Sequence, residues 1–186
     1  MVRQLMMATK NKAPRIRYRC PSCARKHDGL PALAYGRPDA IFNLGTDEQK
    51  ARAVTASDLC ILDDERYFVR CVLQIGVAGS ESSFEYGPWV EVDVRTFSRY
   101  AIHCNTGQDP GWKVADGRLA NAFPANTEGT LGVACRIRLS EEPRQRPTVE
   151  ITDKQHPLFR EQRDGISMAR AIEIVSHMKG FVLLVD

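Results

Sequence analysis

The sequence predicts an α+β fold: an antiparallel β-sheet with two or three helices packed on one face, and a zinc-knuckle-like turn near the N-terminus. Three observations predict it. Apolar and polar residues alternate over 67–77, 84–94 and 131–139. Apolar residues recur at helical spacing over 95–103 and 167–178. Cys20 and Cys23 are separated by two residues, and His27 follows after three more. The chain has 186 residues and is 43% hydrophobic, enough for one sizeable core, so one domain is expected over 18–186.

Residues 1–17 read as a flexible basic tail, with few large apolar residues and no period. From Met1 to Lys26 there are Arg3, Lys10, Lys12, Arg15, Arg17, Arg19, Arg25 and Lys26, and no acidic residue. The formal net charge is only +3, so the remainder of the chain is net acidic and the charge is asymmetric. Thr46 is expected to cap a short helix over about 47–54, with Asp47 and Glu48 in its first turn.

The sheet follows. Tyr67, Val69, Cys71, Leu73, Ile75 and Val77 form one apolar row, Phe84, Tyr86, Val90, Val92 and Val94 a second, and Leu131, Val133, Cys135, Ile137 and Leu139 a third. Period-two alternation marks strands with one buried and one wetted face, and such strands belong to antiparallel sheets. Residues 78–83 form a hairpin loop, and Pro88 places the second strand at an edge or bulge. Shorter strands are expected at 58–62 and 149–151. In the second helix, Met168, Ala171, Ile172, Val175 and Met178 share a side, Ser167 is the N-cap and Gly180 the stop.

No apolar run is long enough to span a bilayer, and the start lacks the apolar stretch of a signal peptide, so a cytoplasmic location and no membrane partner are expected. Cysteines there are thiols or metal ligands. A Cys-x-x-Cys turn aims two sulfurs at one tetrahedral centre, so Cys20, Cys23 and His27 are the candidate zinc ligands. Cys60, Cys104 and His103 are candidates for the fourth, with Cys60 foremost, whereas Cys71 and Cys135 fall on buried strand faces. A redox dithiol normally opens a helix in a βαβ unit, a context this chain lacks.

His156 and Glu161, with Asp58 and Cys60, are the candidates for an enzyme's acid/base site. The plainer reading makes His156 a locally hydrogen-bonded residue where a loop enters a helix. There is no Gly-rich phosphate loop, nucleophile elbow or His-Glu-x-x-His motif. The basic segment 3–26 with Tyr18 offers a nucleic-acid reading, and the sheet's polar face, with Arg70, Trp89, Glu91, Arg136 and Arg138, offers a surface for an unknown protein partner. By alternation Trp89 lies on the wetted face; a register shift at Pro88 would bury it.

Several of these motifs occur together in a known order. Cys20-x-x-Cys23-x-x-x-His27, Leu30-Pro31, Ser57-Asp58-Leu59-Cys60-Ile61-Leu62-Asp63, Tyr67-Phe68-Val69-Arg70, Gly87-Pro88-Trp89-Val90, Arg146-Pro147, His156-Pro157-Leu158 and Glu161-Gln162-Arg163-Asp164-Gly165-Ile166 follow one another. Over about residues 18–178 this order resembles an uncharacterised bacterial family, domain of unknown function 2199. The family usually has Gly-Val-Trp where this chain has Gly87-Pro88-Trp89, and a Tyr-Phe-Gly-Trp-Leu-like segment where it has Asp116-Gly117-Arg118-Leu119. The resemblance implies a small bacterial cytosolic domain. It implies no activity. The leading expectation is therefore a non-enzymatic binding or regulatory domain with a structural zinc site.

Overall fold

The computed structural model describes residues 16–80, 83–140, 145–178 and 180–185. The chain begins with β1 (Ile16–Arg19), β2 (Lys26–Asp28), β3 (Leu33–Ala34), α1 (Asp39–Phe42) and α2 (Thr46–Arg52). Then come β4 (Ala53–Thr55), β5 (Leu59–Leu62), β6 (Arg66–Arg70), β7 (Leu73–Gly76), β8 (Ser83–Gly87) and β9 (Trp89–Val92). The second half holds α3 (Val94–Thr106), β10 (Val114–Leu119), β11 (Ala134–Arg138), β12 (Thr148–Ile151), α4 (Pro157–Asp164), α5 (Met168–Ser176) and β13 (Val182–Val185). Of the expected tail, residues 1–15 lie outside the described residues, while Ile16 and Arg17 belong to β1.

Seven strands form one antiparallel sheet in the order β12-β11-β10-β9-β6-β5-β4. Two smaller sheets flank it, β13-β1-β2 and β3-β8-β7. The expected strands 67–77 and 84–94 are each two strands. Both bend where Cys71 N–H donates to the Pro88 carbonyl at 2.8 Å. Pro88 has no N–H for a ladder, so pairing changes partner there. Beyond the bend β7 and β8 pair with each other and β8 runs parallel to β3. Val72 N–H then donates to Pro147 O and its carbonyl accepts from Val149 N–H, joining the bent strand to the start of β12.

Helices were expected on one face; the described residues hold five, and they serve both. Phe97 and Tyr100 of α3, Leu158 of α4, and Ala171, Ile174 and Val175 of α5 fill the larger core with Val69, Val90, Ile137 and Ile151. On the other face Ile41 of α1 joins Cys60, Leu62, Phe68, Trp89 and Ala120 in a second core. Trp89 does alternate onto the Arg70 and Glu91 side of the sheet. That side is covered there, and Trp89 is 0% exposed with its indole N–H donating to Tyr35 O at 3.0 Å. The expected wetted tryptophan is thus a core residue. Asn121 locks this cover down: its amide donates to Arg37 O and Asp39 Oδ1, and its oxygen accepts from Trp89 N–H.

Caps follow side-chain chemistry. Ser167 Oγ accepts from Arg170 N–H at the start of α5, and Asp93 accepts from Arg95 and Thr96 N–H at the start of α3. For α2 the cap is Gly45, not Thr46; the Glu48 carboxylate accepts from Gly45 N–H at 3.2 Å.

Candidate metal centre

β1 and β2 pair as a hairpin, with Arg19 opposite Lys26, Tyr18 opposite His27 and Arg17 opposite Asp28. The loop 20–25 between them is the knuckle. Cys20 N–H donates to Arg25 O at 3.0 Å and Ala24 N–H donates to Cys20 O at 2.9 Å, closing it on itself. Pro21 presets φ for the turn. Ala24 lies in the left-handed region at φ 58°, which a Cβ disfavours.

This loop brings the ligand-type side chains together. Cys23 Sγ lies 3.2 Å from His27 Nε2, and the Cys20, Cys23 and His27 ligand atoms all lie within 4.8 Å of one another. Tetrahedral zinc with Zn–S of about 2.3 Å and Zn–N of about 2.0 Å sets neighbouring ligand atoms roughly 3.5–3.8 Å apart. The group is therefore of the right size and donor type to hold a metal ion. The backbone N–H groups of Cys23 and Ser22 point at the Cys20 sulfur and lower its pKa, favouring the thiolate that a metal binds. His27 is braced by the Tyr18 ring, stacked at 5.2 Å, and Phe181 lies against Tyr18 at 5.8 Å. Burial first, and then the Cys20 and Cys23 sulfurs, push the Tyr18 phenol up. On the far side of β1, β13 pairs in register from Ile16–Val185 to Arg19–Val182. Gly180 sits so close to Pro21 that an added Cβ would lie 3.0 Å from the ring.

Among the described residues no further Cys, His, Asp or Glu joins this group. Cys60 is in the second core, 1% exposed, and burial pushes its thiol up to about 11. Cys104 is on α3, where burial also raises it, and His103 Nδ1 is hydrogen-bonded to Gln108 O at 2.8 Å. Cys71 and Cys135 are buried, as expected, but Cys71 lies at the bend between β6 and β7 while Cys135 lies on β11.

The acid/base candidates are built differently. His156 is the N-cap of α4: Nδ1 accepts from Leu158 N–H at 3.1 Å, and Nε2 is 2.7 Å from Gly129 O. A neutral ring with its proton on Nε2 satisfies both contacts. Glu161 pairs through Oε1 with Arg170 at 2.9 Å, and Arg170 also donates to Ala125 O. Asp58 pairs with Arg146 at 2.6 Å. Asp58, Cys60, His156 and Glu161 are not gathered into one group. Sequence reasoning missed Arg170, whose spacing of nine from Glu161 crosses a helix break. It also missed the Tyr18–Phe181 brace, which joins opposite ends of the chain.

Charges on the sheet are paired across strands. Arg66 holds Glu91 through two bonds, Arg136 pairs with Asp116 and Arg138 with Glu150. Arg70 sits 5.9 Å over the Trp89 ring. Of the residues read as a partner surface, Trp89 is thus withdrawn, Glu91, Arg136 and Arg138 are matched in ion pairs, and Arg70 lies over the Trp89 ring.

A family model described as an uncharacterized protein conserved in bacteria, DUF2199, matches residues 19–166. No curated protein and no solved structure matches the chain. No helix among the described residues is long and apolar enough to cross a membrane.

Proposed function

The chain belongs to the DUF2199 family, and for this member we propose a non-enzymatic binding or regulatory domain whose Cys20–Cys23–His27 knuckle holds zinc. The carrying observation is the three ligand atoms within 4.8 Å of one another, with backbone N–H groups turned toward the Cys20 sulfur. Zinc would cross-link the exposed hairpin tip, which reaches the larger core through the Tyr18–Phe181 contact, and so stabilise that segment. The engaged nitrogens of His156 and the ion pair of Glu161 support positioning roles for both: capping α4, and tying it to α5 through Arg170. A protein partner would meet the knuckle and its rim more readily than the internally paired sheet face.

Elemental mass spectrometry on tag-free protein tests this. About one zinc per chain is expected, and none in Cys20→Ser. Absence of zinc from freshly reduced protein supplied with the metal would overturn it.

A nucleic-acid reading has one observation in its favour: Arg19, Arg25 and Lys26 are exposed on the hairpin. It requires RNA or DNA affinity that falls steeply with salt and disappears when residues 3–26 are neutralised.

A further inference from the structure

We propose that the metal at the knuckle has a fourth position open to ligands from outside the chain, and that the position selects an anionic thiolate. The proposal rests on zinc binding at Cys20, Cys23 and His27.

A structural zinc site closes with four protein ligands, whereas three protein ligands leave one position for water or another donor. The described residues bring three donors together and no fourth. Residues 1–15 contain no Cys, His, Asp or Glu, and the acidic residues that lie outside the described ones, Glu81, Glu141, Glu142 and Asp186, offer only carboxylates, which a two-thiolate centre ranks below a third thiolate. One side of the knuckle is covered, by Gly180 against Pro21 and by Phe181 and Tyr18 behind His27. Cys23 and His27 are exposed. The fourth position would therefore face solvent.

Two features decide what it takes. First, a centre that already carries two thiolates favours another soft donor over a carboxylate. Second, Zn²⁺ with two thiolates and a neutral imidazole has no net charge, and Arg19, Arg25 and Lys26 adjoin its ligands along the chain, with Arg19 and Lys26 paired at the base of the loop. All three are exposed, and none of them is in an ion pair with another described residue. Binding an anion makes the centre negative, and these cations offset that charge. The exchange is balanced: the thiolate's lone pair forms the metal–sulfur bond, the metal–water bond breaks and water leaves. A neutral thiol must also release a proton to solvent. No oxidant or reductant takes part.

Cobalt(II) reports the exchange because its charge-transfer absorption grows with each bound thiolate. The cobalt-loaded full chain is titrated with mercaptoacetate and, separately, with the uncharged 2-mercaptoethanol. We expect the starting intensity of two thiolates, rising by about half on saturation, with mercaptoacetate saturating at lower concentration. Lys26→Glu should weaken mercaptoacetate about fivefold and 2-mercaptoethanol less, because the bound thiolate of 2-mercaptoethanol carries one negative charge fewer. A bound cobalt whose spectrum ignores both thiols overturns the open position while leaving the metal site standing. So does an intensity of three thiolates before any is added, which means the chain supplies the fourth ligand. Equal saturation by the two thiols overturns the selection for anions. Failure to bind cobalt or zinc at all overturns the metal reading itself.

Discussion

Cys60, Cys71 and Cys135 sit inside the sheet, and Cys20 and Cys23 sit at the hairpin tip. The side chain is the same; the chemistry is opposite. In the sheet, burial withholds solvation from the thiolate and raises all three thiols, Cys60 to about 11 and Cys135 to about 12. There cysteine behaves as a small apolar residue. At the tip, N–H groups of Ser22 and Cys23 offer the Cys20 sulfur hydrogen bonds and lower its pKa. Burial outweighs the single Ala56 N–H offered to Cys60 and makes a packing group, whereas the less buried Cys20 sulfur with two donors makes a ligand. The sheet is therefore expected to carry the stability and the tip the binding chemistry.

The largest effect should come from the sheet. Trp89→Ala removes the largest fully buried side chain and leaves Tyr35 O and Asn121 in a damaged second core. A loss of about 3–5 kcal/mol is expected in urea unfolding, with or without zinc. A loss below about 1 kcal/mol would mean that the cover formed by α1 is dispensable.

Next comes the tip, and there the metal decides. With zinc at about a hundredfold over its Kd, binding adds roughly 2.7 kcal/mol to stability. Cys20→Ser should forfeit most of that in zinc and change little in chelator. An equal loss in both conditions would make Cys20 a packing residue like Cys60, and the contrast between the regions would collapse.

These contrasts explain which parts of the fold and site could be read from the sequence. Alternation marked β6, β9 and β11 because each buries one row against the larger core. Pro88 announced an edge or bulge, but alternation did not foresee the change of partners there, because β3 and β12 take over the pairing from distant parts of the chain. It missed β10, where Asp116, Gly117 and Arg118 interrupt the apolar pattern. Gly117 is there because the neighbouring strand comes too near: a Cβ would lie 2.5 Å from Val90 Cγ1 and 2.8 Å from Glu91 O. The covered face of Trp89 depends on α1, a four-residue helix too short to show a period. The knuckle was legible because its spacing is local. Its strand β13 was not, since that strand lies at the opposite end of the chain.

A smaller effect separates the knuckle's backbone from its ligands. Ala24 holds φ 58°, a conformation glycine adopts without strain. Ala24→Gly relieves the loop but frees the unfolded chain, so a net gain of about 0.5 kcal/mol is expected. Apparent zinc affinity should tighten slightly in parallel, as followed by competition with a chromophoric chelator. A loss of stability would show that the Ala24 methyl group packs in a way that outweighs the strain.

The smallest effect is a shift along the pH axis, and it tests the cause of the contrast directly. A depressed folded-state pKa makes the Cys20 thiolate a stabilising species above the unfolded thiol's ordinary value. That contribution is lost as pH falls through the lower folded value. For the buried thiols the sign reverses. Their contribution is complete below the ordinary thiol value and is lost as pH rises toward about 11 for Cys60 and 12 for Cys135. In zinc-free folded protein, iodoacetamide should thus label Cys20 with a midpoint below that of a free thiol, while Cys60, Cys71 and Cys135 stay unlabelled through pH 9. Peptide mapping by mass spectrometry reads each site separately. If Cys20 titrates like a free thiol, the N–H groups do not govern it, and the tip differs from the sheet by exposure alone.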